Sequence, residues 1–192
     1  MLGLRQKKGP GEDKTSIPLP LKFLPAKTIT LITRVIVTLR IDEIKDDLRK
    51  DEGLSLKVYK CPAGKRTIGY GWNIEANPLP KFIEFYLAQH GEITLEMAEY
   101  LLDLSLTIAI ESAKKIIPMK TWGALSLNQR AVVVEMIFNM GVGTFLTFKR
   151  FRKALNEGKL GDAVAELKDS DWYRGATNAR ARKLIKKFMT EG

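Results

Sequence analysis

The sequence predicts a mainly helical α+β chain in which one small β-hairpin is set among helices, and three observations carry that expectation. The charged stretch from Asp42 to Asp51 places apolar Ile44 and Leu48 four residues apart, the spacing of one helix face. Between Ser55 and Tyr70 the chain alternates, turns at Pro62, Ala63 and Gly64, and returns, which is the pattern of two strands joined by a turn. From Thr94 to Pro118 an apolar run of helical length leaves few polar positions. With 192 residues, 45% apolar and 28% charged, the chain can bury one core, as one domain with two lobes.

Residues 1–27 are basic, rich in Pro and Gly and without periodicity, which reads as a flexible leader. The segment from Thr28 to Ile41 is β-branched and apolar but interrupted by Arg34 and Arg40, and it is too short for a transmembrane helix. A packed strand or helix, a membrane-associating segment and a disordered extension all stay open for it. The long stretch before it and the lack of a small-residue cleavage site after it argue against a signal peptide.

After the first helix, Gly53 supplies the left-handed residue that commonly ends one, so Glu52 falls at a helix C-terminus. There the helix dipole disfavours negative charge, and partial burial would bias the carboxyl towards its protonated form, as a general acid requires. In the first strand Leu56 and Val58 point one way and Ser55, Lys57, Tyr59 and Cys61 the other, which predicts a half-buried strand. The return strand, Arg66 to Tyr70, would bring Thr67 beside Cys61, facing the end of the helix that carries Glu52. Asn77 to Pro80 reads as a loop and Lys81 to Gln89 as a short helix. Thr94 is placed to cap the long helix, with Leu95, Leu101, Leu102, Ile108, Ile110 and Ile117 buried along it.

Composition excludes several function classes. Cys61 is the only cysteine, so no intrachain disulfide can form, and one Cys with one His cannot build a zinc site. His90, before a Gly, reads as a surface residue at a helix end, and no cofactor is expected. The net charge of +10 is uneven. Lys and Arg number 8 against 2 acidic residues over 1–41, 12 against 14 over 42–148, and 12 against 6 over 149–192. Basic ends suit a polyanion. No zinc finger, RNP-like strand or basic region with heptads is present, which points away from nucleic acid and towards an anionic cell envelope, with transient membrane contact open.

The run DEGLSLKVYKCPAGKRTIGYGWN, Asp51 to Asn73, sets Glu52, Cys61 and Thr67 at a fixed spacing of eight and then five intervening residues. It resembles the catalytic segment of phage-type lysozymes, the endolysin muramidases, whose pattern is Glu, eight residues, Asp or sometimes Cys, five residues, Thr, ending in T-I-G-x-G. Glu52, Thr67, Ile68, Gly69 and Gly71 match it. The likeness continues through residues 126–188, where Phe138, Asn139, Met140 and Gly141 match an F-N-x-G cleft segment and Trp172 and Tyr173 a buried W-Y pair. Arg180 falls where the family has an Arg facing the catalytic Glu.

The resemblance implies a lysozyme-like two-lobe fold over 42–192, with a hairpin lobe (42–91), a connecting helix (92–117) and a helical lobe (118–192), residues 1–41 being an extension. It further implies a monomer, made in the host cytoplasm, that cuts the β-1,4 bond between N-acetylmuramic acid and N-acetylglucosamine in peptidoglycan during lysis. Glu52, Cys61 and Thr67 would be catalytic, and Gly71, Trp72, Asn73, Phe138, Asn139 and Arg180 would bind substrate. Trp72 either stacks on a sugar or caps the hairpin, and Phe138 is a sugar platform or core. The family inverts configuration with the hairpin's acidic residue and the Thr hydroxyl positioning water. Here Cys61 stands in for that acid, as thiolate base, hydrogen-bonding group or packed thiol, with Lys60, Lys65 and Arg66 near enough in sequence to lower its pKa. A catalytically weak wall-binding or structural module on the same fold is the alternative.

Overall fold

The computed structural model describes residues 41–175 and 179–190. The leader and all of the Thr28 to Ile41 segment except Ile41 lie outside the described residues. Helix α1, Ile41–Glu52, buries Ile44 and Leu48 and is closed by Gly53 at φ 70°. It leads into β1, Ser55–Lys60, and across a turn into β2, Arg66–Gly69. The Gly64 amide donates to the Cys61 carbonyl at 2.7 Å and the Cys61 amide to the Lys65 carbonyl at 3.0 Å, which sets the turn where Pro62, Ala63 and Gly64 predict it.

Two expectations about this lobe are corrected. The hairpin is a three-stranded antiparallel sheet, because Trp72–Asn73 adds β3 to β2, Thr67 pairing with Asn73 and Ile68 with Trp72. Nor is β1 half-buried as its alternation predicts, since Val58 is 41% exposed. The register explains this. Ser55 pairs with Gly69 and Tyr59 with Thr67, so residues 56–58 face the single residue Ile68, and this irregularity breaks the alternation of faces.

The short helix α2 is Lys81–His90, where His90 is exposed, stacks on Tyr86 and shares a hydrogen bond with the Tyr86 carbonyl. Helix α3, Leu95–Ile116, starts at Thr94, whose hydroxyl accepts from the Met97 amide. Leu101, Leu102, Ile110 and Ile117 are buried as expected, whereas Leu95 is exposed as the first residue of the helix and Ile108 because it points away from the buried face. After α4, Met119–Ala124, comes α5, Leu127–Thr147, opened by a capping box between Ser126 and Gln129. It is broken at Gly141, φ 77°, where the left-handed region favours a residue without Cβ. Among the described residues α5 is the one helix long and apolar enough to cross a membrane, but here residues 131–137 are buried and it packs along α3 as the core.

Among the described residues four short helices complete the second lobe: α6, Lys149–Asn156, α7, Leu160–Lys168, α8, Asp171–Arg174, and α9, Ala179–Phe188. Phe145, Phe151 and Phe188 form an edge-to-face cluster that ties α5, α6 and α9 together. Trp172 and Tyr173, expected buried, are half-buried: Trp172 meets Phe148 edge-on and Tyr173 lies under the Arg182 guanidinium. They sit on a helix of only four residues, which cannot bury both rings.

Among the described residues, ion pairs tie α1 to α3 and to α9. Arg49 on α1 grips Glu99 on α3 through Nε and Nη2 at 2.9 and 2.6 Å. This hydrogen bonding, against some burial, holds the Glu99 carboxyl below its usual range. Asp47 is pushed up by burial, but hydrogen bonds from Lys183 and Lys187 outweigh that and hold it low. For carboxylates depressed in the folded state, the stability they contribute is present above the unfolded pKa, about 4, and is lost as pH falls through the folded value. Thermal melting should therefore show a stability loss below about pH 4 that is smaller in Glu99→Gln, which has already given up part of it.

Candidate active site

Glu52 is the last residue of α1, and its carboxylate is met from two sides. From α9, Arg180 Nη1 donates to Oε1 at 2.7 Å, while Arg180 Nε lies 3.3 Å from Asp51 Oδ2. From the sheet, Gly71 sits so close that a Cβ there would stand 3.3 Å from Oε2. Gly71 also has φ 87°, a conformation that side-chain-bearing residues rarely adopt. Glycine at 71 thus puts no side chain against the second carboxylate oxygen.

Cys61 and Thr67 come together across the turn, as the hairpin spacing predicts. Cys61 is half-buried and Thr67 buried. The thiol is held below its usual pKa range, first by a backbone hydrogen bond at Lys65, then by the Ala63 backbone and the Thr67 hydroxyl, with burial opposing. The expected cause is corrected here. Lys65 and Arg66 direct their side chains to Glu75, and backbone groups of the turn, not side-chain cations, lower the thiol. The Thr67 hydroxyl has one proton for two acceptors, the Lys65 carbonyl at 3.1 Å and the Cys61 sulfur.

Tyr59, the cross-strand partner of Thr67, was not singled out from the sequence although it lies on the same predicted face as Cys61. Its phenol is pushed up by burial and then by the negative charges of Glu52 and Cys61, so it stands within electrostatic reach of both. The signal that could have found it is its place between Glu52 and Cys61 on the polar side of the strand.

Other expected substrate contacts fare differently. Trp72 is 4% exposed, and its indole N–H donates to the Asn77 carbonyl at 2.9 Å, so its ring belongs to the core and no face is left for a sugar. The Asn73 side-chain oxygen accepts from the Glu75 and Ala76 amides, both at 3.0 Å, so it closes a turn. Phe138 is half-buried and packs on the core, and Asn139 is exposed on the last turn before Gly141. No hydrogen bond described for Asn139 joins it to Glu52.

Residues 49–188 match the family described as phage lysozyme. Among curated proteins the chain is 29% identical over 163 residues to a probable T4-type lysozyme 2 of Dictyostelium discoideum, covering 78% of this chain and 95% of that protein. It is 30% identical over 140 residues to an endolysin of Acyrthosiphon pisum secondary endosymbiont phage 1, covering 71% and 82%. It is also 31% identical over 157 residues to the pre-baseplate central spike protein Gp5 of Enterobacteria phage T4, covering 74% of this chain and 27% of that longer protein.

Proposed function

Because the chain belongs to the phage lysozyme family, and so to the lysozyme-type peptidoglycan hydrolases, we propose that it cleaves the β-1,4 bond between N-acetylmuramic acid and N-acetylglucosamine, with Glu52 as general acid. The observation that supports this most is the carboxylate of Glu52, held through Oε1 by Arg180 with no side chain at Gly71 to cover Oε2. A proton carried on Oε2 is delivered to the glycosidic oxygen as the bond from the anomeric carbon breaks. Water attacks the opposite face and gives its proton to the Cys61 thiolate, while the Thr67 hydroxyl orients it. The Arg180 contact orients the carboxylate, and the exposed Asn139 offers an amide to a sugar substituent. Glu52 is restored by the proton from the thiol through solvent, and the net reaction is hydrolysis.

Synthesis in a host cytoplasm and action on the wall during lysis is the setting favoured by the relative named endolysin. The basic ends of the sequence suit adsorption to an anionic envelope without a part in bond cleavage.

The Cys61 assignment has a direct test. Cys61→Asp should keep or raise turnover and Cys61→Ala should lower it at matched stability. Because the thiol is held low, the native rate should fall as pH drops through the thiol's pKa, and this acidic limb should move lower still in Cys61→Asp. An unchanged rate in the Ala variant returns Cys61 to a packing role.

A further inference from the structure

The contact between Arg180 and Glu52 is one end of a ladder of alternating charge that runs into the core. Arg180 bridges Glu52 and Asp51 at 2.7 and 3.3 Å; Lys183 bridges Asp51 and Asp47 at 3.4 and 2.9 Å; Lys187 bridges Asp47 and Glu135 at 3.2 and 2.8 Å. The cations repeat on one face of α9 and the aspartates on one face of α1, at spacings of three and four. Glu135, on α5 and 2% exposed, is the buried terminus.

We propose that Lys183, Asp47, Lys187 and Glu135 are positioning residues for the Arg180–Glu52 pair, with the buried Glu135–Lys187 contact as the anchor that fixes how α9 lies along α1. The proposal rests on the reading of Glu52 as the general acid. Helix α9 buries Ala181, Leu184, Ile185 and Phe188, but apolar contact is non-directional and does not define axial register. The periodic rungs could re-pair after a slide of one turn, about 5.4 Å, but that slide would leave either Glu52 or the buried Glu135 without its cation, so the Glu135–Lys187 contact selects the register. A misplacement of about 1 Å at a reacting group can cost on the order of 100-fold in rate, so the register of α9 is a catalytic variable.

The test uses the full chain and a soluble muropeptide oligomer. Lys187→Met alone would strand the Glu135 charge, so the anchor is removed as the pair Glu135→Leu with Lys187→Met, apolar replacements that keep the site filled. In this double variant kcat should fall by roughly 10- to 100-fold while KM changes by less than about two-fold. Lys183→Met should behave in the same way, and Lys183→Arg, which can still bridge two carboxylates, should recover most of the loss. The NMR resonance of the Arg180 Nε–H, read without substrate, should shift or broaden in the double variant. A double variant with native kcat and an unmoved Arg180 resonance overturns the proposal, as does a lower melting temperature with kcat unchanged. Full wall clearing by Glu52→Gln, with the Arg180 resonance still moved in the double variant, overturns the acid assignment instead and leaves the anchor standing.

Discussion

Replacing Glu52 with glutamine is expected to abolish wall clearing while leaving the fold intact. The amide keeps the size of the carboxyl and can still accept from Arg180, so the contact across the lobes persists in weakened form. What is lost is the proton. General acid catalysis supplies on the order of 10² to 10⁴-fold, and turnover should fall by at least that range. Far-ultraviolet circular dichroism and the melting transition should stay close to those of the native chain. Near-native clearing by a folded Glu52→Gln protein would remove Glu52 from the mechanism.

The second large effect is on stability. Lys187→Met alone should destabilise the chain by about 3–5 kcal/mol at neutral pH, because it removes the hydrogen-bonded partner of Glu135 and leaves that carboxylate buried without it. On a domain of this size each kcal/mol shifts melting by roughly 2–4 °C. The pH dependence identifies the cause. Burial already pushes the Glu135 carboxyl up, with Lys187 opposing it, and removal of Lys187 leaves burial less opposed. A folded pKa above the unfolded one means that destabilisation grows as pH rises through the unfolded value, about 4.3, and levels off above the folded one. The deficit of Lys187→Met should therefore shrink in mild acid. A deficit independent of pH would assign the loss to packing.

Local chemistry made part of this molecule legible in the sequence. The Pro62-Ala63-Gly64 turn, the Thr94 cap and the Gly53 helix end are written in residues adjacent in the chain, and each stands where it was expected. So is the pairing of Cys61 with Thr67, which a tight turn fixes. Features set by partners distant in sequence were not legible. Whether Trp72 is a sugar platform or core depends on the Asn77 carbonyl and on what packs over the ring, and alternation in β1 is overridden by a register irregularity that no single strand encodes.

The buried end of the charge ladder was also missed, for the same reason. Glu135 and Lys187 are separated by 52 residues and Asp47 and Lys187 by 140, and each alone reads as an ordinary charged residue on a helix. Only Arg180 stood out, through its likeness to the family's pattern. Its partner Asp51 and the rungs below became visible once α9 lay against α1.

The most direct test of the central claim is the identity of the new reducing ends released from purified peptidoglycan. After digestion, borohydride reduction and mass spectrometry, cleavage as proposed leaves N-acetylmuramic acid, recovered as its alditol, at the new ends, and Glu52→Gln leaves none. New ends that carry N-acetylglucosamine, or native protein that releases no reducing ends at all, would contradict it.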